Sequence, residues 1–214
     1  LTNTPIMMRG ESHLMNYRPG WKRMLKKIFL PVLFDRIACF LTIGTLNAEY
    51  YKHYGVSERK MFLTPYTVNN EFFSEEYKKL KNKRSELKEM NGIAPECPVI
   101  LYAAKMMPRK RAMDLLKAYE LMRNKTRAAL VFVGDGREKG NLELYAREHK
   151  LEDIYFVGFK NHTELPECFS IADVFVLPST DEPWGMVIND AMNFGLPVVT
   201  TDQVGAAPDL VKHG

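Results

Sequence analysis

The sequence predicts an α/β fold built on parallel sheet, and three observations carry the prediction. Short apolar, β-branched runs alternate with helix-forming stretches through the second half of the chain, from Val99–Ala103 to residues 196–200. These runs are nearly continuous in apolar character, as strands covered on both faces require. A composition of 46% hydrophobic and 26% charged residues over 214 positions is that of a globular protein with a sizeable core.

In chain order, residues 1–8 read as a strand, and residues 5–15 as its tail ending in a polar tip that holds Arg9, Glu11 and His13. A plain serine-capped turn fits the same residues. Residues 21–30 mix four basic side chains with apolar ones at helical spacing. They read either as a surface lying on anionic lipid or as a domain helix packed through Met24, Leu25 and Ile28; the shortness of the basic run favours the second. Residues 37–43 follow as a strand, 44–47 open a short helix, and 61–64 form a strand that Pro65 stops. The charged, helix-forming stretch 71–90 runs into the breakers of 91–98. This divides the chain into 1–90, the end of one α/β domain with its linker helix, and 91–214, a second one.

The second domain opens on the strand Val99–Ala103, a basic loop from Lys105 to Arg111 that includes Lys110, and the helix Ala112–Met122. Ala129–Val133 leads into Gly134, Asp135 and Gly136, whose spacing to Gly140 departs from the dinucleotide fingerprint, so this reads as a plain turn. A strand at 154–157 bends at Gly158, Phe159 and Lys160. A helix at 165–172 then returns to the strand Val174–Leu177. The stretch 177–201 organises the whole chain: Pro178 ends the strand, residues 179–183 cap a helix at 185–194, Gly195 closes it, and 196–200 is the next strand. The loop offers the backbone N–H groups of Gly185, Met186 and Val187 at the positive end of that helix, where a phosphate or sugar oxygen can be held. Glu182 and Asp190 flank it, and carboxylates accept paired hydrogen bonds from vicinal hydroxyls.

The run Glu182-Pro183-Trp184-Gly185-Met186-Val187-Ile188-Asn189-Asp190, followed by Gly195-Leu-Pro-Val-Val, resembles the acid-x7-acid signature of the retaining GT-B glycosyltransferases of family GT4. The usual second acid there is glutamate; Asp190 is one methylene shorter. Lys105 and Lys110 stand at the arginine and lysine positions of the family's Gly-Arg-x4-Lys-Gly element, with Ala104 and Arg111 replacing the glycines. The resemblance implies a GT-B fold, with a donor-binding Rossmann-like domain at 91–214 and the end of an acceptor-side one at 1–90. It implies that Glu182 orients the transferred sugar, Asp190 the ribose, and Lys105 and Lys110 the diphosphate. It places Gly158 and Phe159 against the nucleotide base, and Pro183 to Val187 around the donor. Arg9, Glu11 and His13 then form a possible acceptor-side tip.

The implied donor is a UDP- or GDP-type nucleotide sugar, which is a substrate, so no cofactor is expected. The implied acceptor is a glycan or lipid-linked molecule of polysaccharide or glycoconjugate synthesis. No Asp-x-Asp pair occurs, which argues for metal-independent chemistry. His149 and His162 lack partners at metal-ligand spacing. A net charge of +4 does not call for a nucleic-acid partner. Three widely spaced cysteines point to a reducing cytoplasm, with residues 21–30 as a possible peripheral contact at the inner membrane face. Pro31, Asp35 and Arg36 interrupt the longest apolar stretch and argue against a bilayer span. The two ends read as cut, so a fragment is expected. Two alternatives stand beside the transferase: a nucleotide-sugar-binding regulatory domain without turnover, and a GT-B sugar-nucleotide epimerase or phosphorylase.

Overall fold

The computed structural model describes residues 4–15 and 19–212 and contains two parallel sheets. Two compact units form. One takes the chain up to Thr67 together with Asp181–Gly185 and the stretch from Asp202 onward, and the other is Val68–Thr180 with Met186–Thr201. The division therefore falls earlier than residue 90.

The smaller unit begins with β1 (Met7–Arg9), α1 (Gly20–Asp35), β2 (Cys39–Thr42), α2 (Thr45–His53) and β3 (Met61–Leu63), its sheet ordered β1-β2-β3. An aromatic knot forms its core, with Phe34 edge-on to Phe40 at 5.2 Å and to Tyr51 at 5.6 Å between ring centroids. Here the structure corrects the reading of α1 as a helix packed through Met24, Leu25 and Ile28. All three are exposed, and the helix is seated instead by Phe34, with Leu30 half-buried beside it. Their side of the helix is turned from the sheet, because Leu30 and Phe34 stand one turn apart on the opposite side.

The larger unit starts with two helices, α3 (Asn70–Leu80) and α4 (Arg84–Met90), where one was expected; the 3-10 turn Lys81–Lys83 separates them. Asn69 caps α3 by accepting a hydrogen bond from the Phe72 N–H at 3.0 Å. Phe73 is fully buried among the rings of His162, Phe169 and Phe194, which ties α3 to the larger sheet. Arg84 donates to the carbonyls of Ile171 and Ala172, each at 3.2 Å, and pairs with Asp173 at 2.7 Å. Asp173 in turn accepts from the Val99 N–H, and the buried Lys88 donates to the Cys97 carbonyl at 2.8 Å. This latch fastens α4 to the start of the sheet.

The sheet follows as β4 (Val99–Ala103), α5 (Ala112–Met122), β5 (Ala129–Val133), α6 (Lys139–Glu148), β6 (Ile154–Gly158), α7 (Leu165–Ile171), β7 (Val174–Leu177), α8 (Val187–Asn193) and β8 (Val198–Thr200). All five strands are parallel, in the order β6-β5-β4-β7-β8. The five residues of β5 are buried without exception, and α5 covers the sheet with Ala112, Leu115, Leu116 and Tyr119, one face of a helix. The helix expected at 185–194 starts at Val187, because Gly185 adopts a left-handed turn at φ +92. In the smaller unit α9 (Ala207–Leu210) completes the fold, where Asp209 caps α2 by accepting from the Thr45 N–H at 3.0 Å and its hydroxyl at 2.6 Å.

Candidate active site

The larger sheet reverses its winding between β4 and β7, and an open parallel sheet leaves a crevice outside its strand ends at such a point. A cavity of about 720 Å³ lies there, walled by the ends of β4, β5 and β6 and by the start of α8. Ala103 to Lys105 come from the first, Val133 to Gly136 from the second, Phe159 and Lys160 from the third, and Met186, Val187 and Asp190 from α8 and its entry. Its volume suits a nucleotide-sized ligand.

Asp190 is the chemically distinctive group of this wall. It is 8% exposed, and its Oδ1 has no hydrogen-bond partner among the described residues. Burial pushes its carboxyl up to about 6, against a downward pull from His162. A buried acceptor without a donor is costly, and a ligand hydroxyl would relieve that cost. Lys105 is exposed at the end of β4 and lines the cavity. Lys110 stands on the 3-10 turn Pro108–Lys110 that follows and is not part of the wall. The second cation of the wall is Lys160, 3.4 Å from Glu164. Phe159 offers a largely exposed ring just after Gly158, whose φ of +77 ends β6.

Two groups of this wall escaped the sequence reading. Gly134 and Gly136, read as a plain turn, line the crevice with positive φ, and a Cβ on them would overlap the carbonyls of Ala104 and Met106. Lys160 was read only as part of a bend, although a cation after a strand end is a signal in its own right.

The smaller unit holds a second group. Glu182 is buried, its N–H donating to the Gln203 carbonyl at 3.2 Å and its carbonyl accepting from Gly205 at 2.9 Å, so a short parallel bridge fixes its loop. His13 is buried, with Nε2 3.9 Å from Asp181. Burial lowers the His13 pKa, opposed by Asp181 and Glu182, which favours the neutral ring. Of the tip residues, His13 alone joins these acids. Arg9 lies over the Tyr66 ring at 4.9 Å, and Glu11 is exposed. Trp184 packs with Ile43 and Ala206, and Gly205 lies against the Pro183 carbonyl, so this part of the motif stiffens the loop. Asp181, exposed beside Glu182, was missed, because its link to His13 joins distant parts of the chain.

A family model described as glycosyl transferases group 1 matches residues 83–214, more than half of the chain. The chain belongs to that family. Among relatives of this chain, sulfoquinovosyl transferase SQD2 of Arabidopsis thaliana is 26% identical across 100% of the chain and 41% of its own length. N-acetyl-alpha-D-glucosaminyl L-malate synthase of Bacillus anthracis is 28% identical across 69% of the chain and 38% of its own length. The crystal structure of Anabaena Alr3699/HepE in complex with UDP superposes with a TM-score of 0.76 at 19% identity, over 98% of this chain and 56% of that one. WaaG, a glycosyltransferase involved in lipopolysaccharide biosynthesis, gives 0.68 at 20% identity, over 94% and 58%. The fold is thus of the GT-B type, with Rossmann-like parallel sheets, and the chain spans about two fifths to three fifths of the length of these relatives.

Proposed function

We propose that the full-length protein is a glycosyltransferase that moves a hexosyl-type sugar from a UDP- or GDP-type donor to a glycan or lipid-linked acceptor, with retention of anomeric configuration and without a metal ion or cofactor. The observation that carries the reading is the buried carboxylate of Asp190 in the crevice wall, whose Oδ1 has no hydrogen-bond partner among the described residues. Ribose hydroxyls would donate to it, the base would lie against Gly158 and Phe159, and Lys105, with Lys110 from the turn beyond, would meet the diphosphate. The backbone from Gly185 to Val187 would hold further donor oxygens. Glu182 would orient the sugar hydroxyls, with Pro183 and Trp184 fixing its loop.

The bond from the anomeric carbon to the diphosphate breaks through an oxocarbenium-like state. Stabilising the departing negative charge is therefore the main chemical task of the lysines. The acceptor hydroxyl attacks from the face the diphosphate leaves, and its proton goes with that leaving group. Neutral His13 would hydrogen-bond near the reacting sugar rather than add charge. We assign this work to the cytoplasm, in polysaccharide or glycoconjugate synthesis, with α1 as a peripheral contact at the inner membrane face.

Donor hydrolysis by the full-length protein, followed by NMR of the released sugar, tests the reading. The product is expected in the donor's own anomeric configuration. An inverted product would overturn retention, and binding of UDP-sugar and GDP-sugar without any release would leave a binding domain instead.

A further inference from the structure

We propose that Lys160 reads the base of the donor and that this base is uracil; the inference rests on the glycosyltransferase reading and names which nucleotide sugar the crevice takes. The charged side chains of the crevice wall are Lys105, Asp135, Lys160 and Asp190. Under that reading Asp190 meets the ribose and Lys105 the diphosphate, while Asp135 accepts from the Gly136 N–H at 2.6 Å, inside its own turn. Lys160 is the charge left over. Strand order puts it at the base end: β6 is an edge strand, and the ends of β5 and β4 stand between its loop and the α8 side that carries Asp190. A nucleoside with its ribose at Asp190 and its base against Gly158 and Phe159 therefore turns the far edge of the base toward Lys160.

The hydrogen-bonding groups at that end form a short set. The Gly158 carbonyl is taken by the Gly134 N–H at 2.8 Å, whereas neither the N–H nor the carbonyl of Phe159 has a hydrogen-bond partner among the described residues. Lys160 adds an ammonium, which only donates. It is held in place: its Nζ lies 3.4 Å from Oε1 of Glu164, whose Oε2 accepts from the Asn161 N–H at 2.9 Å. Glu164 uses one of the ammonium's N–H bonds and leaves others for a ligand. The loop thus offers two donors, the ammonium and the Phe159 N–H, and one acceptor, the Phe159 carbonyl. Uracil is the complement, with O4 and O2 accepting and N3–H donating between them. Cytosine and adenine carry an amino donor where uracil carries O4, and an ammonium cannot accept from it. Guanine sets two adjacent donors, N1–H and its amino group, against a single carbonyl, and both oxygens of Glu164 are already engaged. A donor enclosed without an acceptor costs more than a neighbouring bond returns.

The test is titration calorimetry of the full-length protein with UDP, CDP, GDP and ADP at one salt concentration. UDP is expected to bind about tenfold more tightly than each of the others, the size of one charge-assisted hydrogen bond. Lys160→Gln, whose amide can also accept from an amino group, should shrink the ratio of UDP to CDP affinity to about threefold or less. Lys160→Arg remains a donor-only cation and should keep the preference. A Lys160→Gln variant that binds all four diphosphates more weakly but in unchanged ratio would overturn the role of Lys160, since that is the effect of a lost charge alone. Equal affinity of the parent for all four would overturn the reading of the base while leaving the ribose and diphosphate contacts standing. GDP bound more tightly than UDP would overturn uracil. A parent protein that melts cooperatively yet binds none of the four would overturn the donor reading itself.

Discussion

Replacing Asp190 by asparagine separates what this carboxylate costs the fold from what it gives the ligand. Burial raises its pKa from 3.8 to about 6, roughly two units, and at 1.36 kcal/mol per unit that is about 3 kcal/mol. The sign follows from proton counting: between these two values the folded protein keeps a proton that the unfolded chain releases, so stability falls as pH rises through the window. Above about 6 the full penalty is present. Asp190→Asn removes the charge but buries an amide with its own needs, so the expected gain at about pH 8 is roughly 1–3 kcal/mol, or about 3–10 °C in Tm for a chain of this size. Near pH 4 parent and variant should converge. The same change should weaken UDP or GDP binding by about 1.5–3 kcal/mol, because the ionised acceptor for the ribose hydroxyls is gone. In the parent, binding should tighten from about pH 5 to pH 7, since the ligand favours the ionised form, and in the variant the slope should shrink to the part owed to the second ionisation of the ligand's terminal phosphate. Calorimetric melts at both pH values and nucleotide titrations check this. A variant no more stable than the parent at about pH 8, or an equal Tm difference at both pH values, would refute the burial account.

Lys105→Ala should weaken nucleoside diphosphate binding by about 1.5–3 kcal/mol in calorimetry, and Lys110→Ala by less, because Lys110 stands outside the crevice wall. Equal affinity in both variants and the parent would remove the diphosphate assignment. Glu182→Ala should leave nucleoside diphosphate affinity unchanged while lowering turnover of the full-length protein, since a lost sugar contact cannot be felt by the nucleotide alone. Gly134→Ala should destabilise by about 3 kcal/mol or more, read as a lowered Tm, because the new methyl meets the Ala104 carbonyl at a φ that disfavours side chains. A variant melting like the parent would show that the turn can rearrange.

The larger sheet was the most legible part of the chain, because strands buried on both faces announce themselves as unbroken apolar runs. Val99–Ala103, Ala129–Val133 and Val174–Leu177 form where the residues alone placed them. The order β6-β5-β4-β7-β8 could not be read that way, since it depends on crossovers rather than on composition. The departure of Gly134 and Gly136 from the dinucleotide spacing says nothing of their need for glycine, which comes from carbonyls on the loop after β4. The outward turn of Met24, Leu25 and Ile28 was equally hidden. Periodicity identifies an apolar stripe but not which side of the helix meets the sheet, and Phe34 decided that. The spacing singles out Asp190 and Glu182 as candidates, but the orphaned oxygen of one and the fixed loop of the other are properties of packing.

The latch of Arg84, Lys88 and Asp173 bears on how the larger unit can be excised or transplanted. A cut just before Val99 would strip the guanidinium from the Ile171 and Ala172 carbonyls and leave the Asp173 carboxylate holding only the Val99 N–H. A cut at residue 83, where the family match begins, would keep those bonds yet discard Phe73 and bare the rings of Phe169 and Phe194 to water. The autonomous module is therefore longer than the matched stretch and has to begin upstream of Asn69, so that α3 keeps its cap and enters any chimera together with the sheet it covers.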